Sequence, residues 1–241
     1  MAATTPNEAE SLESPLLSKH GFAHGFSLRA KEPGDLMRGM LAPRTLYQAE
    51  QVHGAGVVRG EGDAETVRQV KADALVARAP FAVGVRVADC VPLLVGALRS
   101  GDVAAIHAGW RGTVLGVIPA ALAMLATDRA GGAGGVSSGS ERRVAAIGPC
   151  IGACCFEVGI DVAEKIAGAS HGAAVVARTA GHKAWIDLRA AVRAQLRAGG
   201  LADDDIEDVP GCTRCDAARF FSFRRDGANA GRHLAVIAAL P

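Results

Sequence analysis

A layered α/β or α+β fold is predicted by three features of the sequence. Short valine- and leucine-rich runs are interspersed with helical stretches along the chain. Of the 241 residues, 49% are hydrophobic and 21% charged, which supplies a sizeable core and excludes a chain disordered throughout. Thirty glycines against one tyrosine call for many tight turns and close backbone approaches.

In chain order, residues 1–18 carry Glu8, Glu10 and Glu13 and no basic run. They read as a solvated, disordered tail, neither a signal peptide nor a presequence. The expected compartment is therefore the cytoplasm, where thiols stay reduced. Residues 22–28 are a candidate first strand, and residues 30–42, with Pro33, Gly34 and Gly39, a loop. Residues 45–52 lead to His53. Residues 74–76, 81–88 and 91–98 have the continuous apolar character of buried strands, the last two flanking Ala88-Asp89-Cys90. Residues 103–106 form another strand, ending at His107, and Gly109-Trp110-Arg111-Gly112 opens one long apolar helix to about residue 126. Its apolar stretch, 113–126, is too short for a bilayer, which needs roughly 20 residues.

Residues 127–143 read as a flexible connector: they are glycine-rich, but no strand feeds them in Walker order and no Gly-Lys-Ser/Thr follows. Residues 144–147 are a strand running into Gly148-Pro149-Cys150. Residues 159–168 and 187–198 read as helices, the second with Asp187 as N-cap. Residues 220–223 and 233–238 read as closing strands. No repeat and no domain linker appears, so residues 19–241 are expected to form one domain.

The formal net charge is +1, which argues against a nucleic-acid binder relying on phosphate contacts. Chemistry is better sought in His53, Cys90 and His107, which stand at strand ends or turns, where a rigid scaffold presents functional groups. Two imidazoles and a thiolate can bind zinc and leave a fourth tetrahedral position open. The same Cys90 and His107 could instead act without metal, as a thiolate nucleophile activated by imidazole. The plainer reading is a surface histidine, a core cysteine and a satisfied strand-end histidine. Five further cysteines are Cys150, Cys154, Cys155 and the Cys212-Thr-Arg-Cys215 pair. They are either small buried residues in turns or, if they meet in space, a structural zinc site. Arg111 and the adjacent Arg224 and Arg225 are candidate clamps for phosphate or carboxylate, with a solvated turn or a salt bridge to Asp226 as the alternative.

The ordered blocks QVHG, ADALV, VADCVPLLV, AAIHAGWRGTVLGV, IGPCIGACCFEVG, CTRC and FFSFRRDGANAGRHLAVI span about residues 24–240. Together they resemble the laccase-domain family, whose bacterial members are called peptidoglycan editing factors or multicopper polyphenol oxidoreductases. The resemblance implies a single α/β domain with mixed sheets sandwiched between helices. It implies zinc as cofactor, on His53, Cys90 and His107. It also implies purine nucleosides and phosphate as small-molecule partners, with no nucleic acid and no membrane. The implied reactions are phosphorolysis of adenosine, inosine and methylthioadenosine to base and (methylthio)ribose 1-phosphate, and deamination of adenosine. Cys90 and His107 would be catalytic, and Asp89 would orient a ligand or move a proton. Arg111 and Arg225, with Arg29, would meet phosphate or substrate. An amide hydrolase acting on serine misincorporated into peptidoglycan precursors, through Cys90 or the same zinc, is the competing activity.

Two histidines and a cysteine are also the equatorial set of a blue-copper site. A multicopper oxidase, however, needs a trinuclear cluster held by many more histidines than this chain has. After His53 and His107 there remain only His20, His24, His171, His182 and His233, with no His-x-His pair. Laccase chemistry on polyphenols is thus not expected, although Cu2+ can enter a zinc site opportunistically. The chain also departs from the family. Members carry a GGxS-type turn, an SLNL-like block and an Asn-Arg pair ahead of QVHG, whereas here GFSLRAKEPGD runs quickly into MLAPRTLYQAEQVHG. That shortening bears on substrate range, and leaves a metal-binding chain with a decayed pocket as a third reading.

Overall fold

Two stacked sheets carry the chain's functional residues. The computed structural model describes residues 11–29, 41–127 and 141–241. The loop expected at residues 30–42 and the connector at 127–143 therefore lie mostly outside the described residues.

The larger sheet has six strands: β4 (Val57–Arg59), β5 (Ala74–Ala77), β7 (Val91–Ala97), β8 (Val103–Ala108), β9 (Arg143–Ile147) and β13 (Ile206–Asp208). Their order is β13-β9-β7-β8-β5-β4, with antiparallel pairing in the centre and parallel pairs at both edges. The second sheet has five: β1 (Ser11–Leu12), β2 (His24–Ser27), β3 (Leu46–Tyr47), β6 (Ala82–Val87) and β14 (His233–Ala238), in the order β1-β2-β14-β6-β3. A small sheet, β10-β12-β11, joins Glu157–Gly159, Lys183–Ile186 and Val176–Ala180.

Strand periodicity divides the core. Leu75, Ala77, Leu94, Val103 and Ala105 face the five-stranded sheet and pack with Phe26, Val83, Val85 and Ile237. Their neighbours Ala74, Val76, Leu93, Ala104 and Ile106 point the other way, onto a helical layer. Both faces are thus buried, which is why these strands read as apolar runs rather than alternating patterns. Full burial of each such leucine or isoleucine contributes about 1.5–3 kcal/mol. The helical layer comprises α3 (Trp110–Leu115), α4 (Val117–Thr127), α5 (Ile160–Gly168) and α6 (Leu188–Ala198). Asp187 caps α6 as expected, accepting from Ala190 N–H at 3.0 Å. The mixed α/β architecture expected from the sequence is present.

Several local expectations change. The expected tail at 1–18 holds structure from Ser11 onward, while residues 1–10 lie outside the described set. Ser11 and Leu12 pair with Ser27 and Phe26, and α1 (Pro15–Lys19) is capped by Ser14 and buries Leu17 completely. The Ser14 hydroxyl and Leu16 N–H both bond to the Glu207 carboxylate, so this segment is tied to β13. The single helix expected up to residue 126 is two, because Gly116 takes φ 84° and ends α3. The expected strand at 220–223 is not one. Ser222 instead accepts from Arg225 N–H at 3.2 Å and starts the one-turn helix α7 (Phe223–Asp226). A further short helix, α2 (Ala64–Arg68), and the β10–β12 sheet were not anticipated.

Candidate functional site

His107 sits near the end of β8 and is buried, while His53 lies in the loop after β3 and is exposed. Cys90 occupies the turn between β6 and β7. Their three ligand atoms lie within 4.8 Å of one another. The imidazoles meet edge to face, centroids 4.8 Å apart. Backbone strain concentrates here: His53 has φ 59° and Asp89, beside Cys90, φ 89°. The histidine–alanine–glycine–tryptophan–arginine–glycine run has a steric reason at its first glycine. A Cβ on Gly109 would stand 3.0 Å from Cys90 Sγ and 3.3 Å from His53 Cδ2.

Asp73, fully buried immediately ahead of β5, organises the site. Its carboxylate accepts from the backbone N–H groups of His53 at 2.9 Å and Gly54 at 2.6 Å, and from His107 Nδ1 at 2.7 Å. Its own carbonyl accepts from His107 N–H at 2.7 Å. A carboxylate only accepts, so the Nδ1 proton of His107 is fixed and Nε2 is left for a ligand. Burial would raise the Asp73 pKa, but the His107 hydrogen bond, followed by the backbone N–H bonds, holds it below its ordinary value. Burial also opposes the charged forms of Cys90 and His107. Hydrogen bonds from His107 and His53 nonetheless bring the Cys90 thiol down to about 6. Bonds to Asp73 and Cys90 raise His107 to about 9.

This donor set, with one imidazole already oriented by a carboxylate, fits a zinc ion with three protein ligands and an open position. None of the other five histidines joins a metal-capable group among the described residues. His24 and His233 are spent on backbone contacts: Phe22 O and Ser14 N for the first, Ser27 O and Phe221 N for the second. Among the described residues, the metal-capable groups are the trio and a group of four cysteines.

The trio opens into a cleft of about 650 Å³ whose wall includes Arg86, Trp110, Arg111, Phe156, Phe223 and Arg224. Phe223 is an exposed aromatic at its edge. Arg111, expected at the site, lines this cleft and stacks over Trp110 at 4.9 Å. Arg225 and Arg29 are not among the lining residues. The Arg225 guanidinium is used up on Asp226 and on the carbonyls of Thr213, Arg214 and Phe220. Arg29 donates to Ala217 O and lies over Phe221. Arg224, next to Arg225 in the chain, lines the cleft instead, as does Arg232.

Asp89 lines the cleft, but its carboxylate is engaged, accepting from Thr213 Oγ1 and from Arg224 N–H, each at 2.6 Å. Cys150 is buried, with burial pushing its thiol up to about 12, and the other four cysteines form a separate group. Sequence reading missed Asp73, Arg86 and Arg232, and of the Arg224-Arg225 pair it singled out, it carried Arg225 rather than Arg224 to the site. The signal for Asp73 was an acid opening an otherwise apolar strand, since buried charges of this kind are paired.

Residues 34–240 match the family described as multi-copper polyphenol oxidoreductase laccase. The chain is 43% identical over 163 residues to a protein named adenosine deaminase RL5, from an unknown prokaryotic organism, a match covering 66% of this chain and 59% of that one. It is 38% identical over 168 residues to a protein named purine nucleoside phosphorylase from Bacteroides thetaiotaomicron, covering 68% and 60%. The matches thus span about three fifths of these relatives' lengths. Among solved structures, YlmD from Geobacillus stearothermophilus superposes with a TM-score of 0.80 at 26% identity, covering 98% of both chains.

Proposed function

Because the chain belongs to the family of multi-copper polyphenol oxidoreductase laccases, and relatives in its reach are named for work on purine nucleosides, we propose that it is a zinc-dependent purine nucleoside enzyme. The reactions are phosphorolysis to base and ribose 1-phosphate, and deamination of adenosine. The single observation that carries this reading is the His53–Cys90–His107 trio opening into an arginine- and aromatic-lined cleft.

His53, Cys90 and His107 would hold the zinc, which when bound supplies Lewis-acid polarisation of an oxygen. Asp73 keeps the His107 Nδ1 proton in place so that Nε2 faces the ligand. Cys90 is a thiolate at neutral pH, with its thiol at about 6. Trp110 and Phe223 offer faces for a purine ring. Arg111, with Arg86 and Arg224, supplies the cationic groups that hold phosphate as it approaches the ribose C1′. Asp89, with both oxygens engaged, positions the Cys90 turn and Arg224 rather than moving a proton.

A second reading is favoured by one specific arrangement. Cys90, His107 and Asp73 stand in thiol–imidazole–carboxylate order, the set of a metal-free cysteine hydrolase acting on an amide. The deciding experiment incubates zinc-loaded protein with adenosine, with and without phosphate, and identifies products by mass spectrometry. Adenine with ribose 1-phosphate, formed only with phosphate, is the phosphorolysis result, and inosine is the deamination result. A chelator must abolish both and zinc restore them. Untouched adenosine overturns the nucleoside reading. Activity on serine-containing muropeptide precursors that survives the chelator establishes the hydrolase.

A further inference from the structure

Four cysteines that play no part in the cleft come from two turns far apart in sequence. Cys154 and Cys155 follow Gly152 in the turn ahead of β10, and Cys212 and Cys215 bracket a two-residue turn after β13. The turns are joined by backbone: Cys150 and Cys212 form a parallel bridge, and Thr213 N–H donates to Cys150 O at 3.0 Å. Sulfur meets sulfur across this junction. Cys154 Sγ lies 3.6 Å from Cys212 Sγ and 3.5 Å from Cys215 Sγ, and Cys155 Sγ lies 3.3 Å from Cys215 Sγ. All four sulfurs fall within 4.8 Å of one another.

Core packing does not account for this group, because Cys154 and Cys215 are exposed. Nor do thiols gain much from one another, being weak donors and weak acceptors. The group does have N–H donors aimed at it: Gly152 N–H at 3.2 Å from Cys212 Sγ, and Arg214 Nη1 at 3.6 Å from Cys155 Sγ. Donors of this kind support thiolates bound to a metal. The dimensions select among metals. A tetrahedron with arms of about 2.3 Å, the zinc–sulfur length, has edges of about 3.8 Å, just above the three short separations of 3.3–3.6 Å and below the 4.8 Å that bounds every pair. An iron–sulfur cluster shares its thiolates among several irons and needs them spread wider.

We propose that Cys154, Cys155, Cys212 and Cys215 bind one zinc ion as a closed tetrathiolate site, separate from the His53–Cys90–His107 trio and structural in role. With four protein ligands it has no position for substrate. Its work is to staple two turns that both hold the Cys90 turn. Ile151 N–H, from the first, donates to Asp89 O at 2.9 Å. Thr213 Oγ1, from the second, donates to the Asp89 carboxylate at 2.6 Å. The strained Asp89, at φ 89°, is thereby clamped from both sides of the staple.

The test counts metal and reads its ligands, with no reference to activity. Full-length chain is purified under reducing conditions, reconstituted with zinc and freed of loose metal, and zinc per chain is measured by elemental analysis. Wild type should hold two ions, Cys90→Ala one, and the double variant Cys212→Ser with Cys215→Ser one. Since the double variant can fail to fold, the Cys90→Ala chain is also loaded with cobalt(II). One tightly held ion with the strong charge-transfer absorption of a tetrathiolate supports the site. A Cys90→Ala chain that holds no zinc and binds no cobalt, iron in place of zinc, or disulfides among the four cysteines would each overturn it, whereas one zinc in wild type that persists in Cys90→Ala would count against the trio and for this site.

Discussion

Asp73 Oδ1 lies 2.7 Å from His107 Nδ1, and the same oxygen accepts the backbone N–H of His53 at 2.9 Å. One buried acid just ahead of β5 therefore fixes two of the three candidate ligands. It does so differently for each, holding a ring for the first and a strained backbone for the second. The pairing of β5 with β8, which sets Ala74 opposite Ile106, brings the acid beside His107.

Asp73→Asn preserves size but puts an N–H donor where an acceptor is needed. We expect zinc affinity to fall about 10–100-fold, the usual effect of losing an orienting partner of a ligand histidine. Competition with a chromophoric chelator measures it, and circular dichroism checks that the fold persists. Unchanged affinity would show that His107 is oriented without Asp73.

The two arginines expected to meet phosphate separate in the structure, and so should their variants. Arg111→Ala removes a cleft cation and should raise the KM for phosphate about tenfold, as loss of a charge-assisted hydrogen bond does. Phosphate-independent deamination should keep its kcat. Arg225→Ala strips a partner from three carbonyls and Asp226. It should leave the KM for phosphate alone and lower Tm by about 2–4 °C, the shift that 1 kcal/mol gives a chain of this size. The reverse pattern would return Arg225 to the cleft.

That separation shows what the sequence could and could not carry. His53, Cys90 and His107 were legible because each stands at a turn or strand end and falls in a recognisable block. Arg224 and Arg225 are adjacent, and which one faces the cleft depends on backbone direction. Reading 220–223 as a strand missed the Ser222 cap that turns the chain into a helix there. Asp73 was hidden because its partners lie 20 and 34 residues away and are brought to it only by strand pairing. Every residue of β11 is exposed, so it leaves no burial period to read. The central strands were the easy part, since apolar runs buried on both faces announce themselves.

The metal-free chain should reveal the Cys90 thiolate directly. Its thiol is brought down to about 6, against burial, by hydrogen bonds from His107 and His53. Thiolate is the reactive form, so alkylation should climb through pH 6 and level off above pH 7. An ordinary cysteine reaches only its midpoint near pH 8.5 and keeps gaining for about a unit beyond it. Cys150, buried and pushed up to about 12, should stay unlabelled throughout. Peptide-resolved mass spectrometry after timed iodoacetamide labelling reads both, and a Cys90 midpoint near 8.5 would refute the activation.

Gly109→Ala tests whether the glycine is there for the site or for the helix it precedes. The added Cβ would fall 3.0 Å from Cys90 Sγ and 3.3 Å from His53 Cδ2, inside the ordinary contact distance of about 3.5–4.0 Å. Relief requires the sulfur or the ring to shift by several tenths of an ångström, whereas metal–ligand distances tolerate only about 0.2 Å. Gly109 has φ −71°, so alanine meets no backbone strain there and the helix start should survive. Zinc affinity should therefore drop about tenfold or more while the Tm of the metal-free chain barely moves. Gly168→Ala, whose Cβ meets nothing within 4 Å, should leave zinc affinity unchanged. Wild-type affinity in Gly109→Ala would mean that the two ligands can yield to the methyl group without losing the metal.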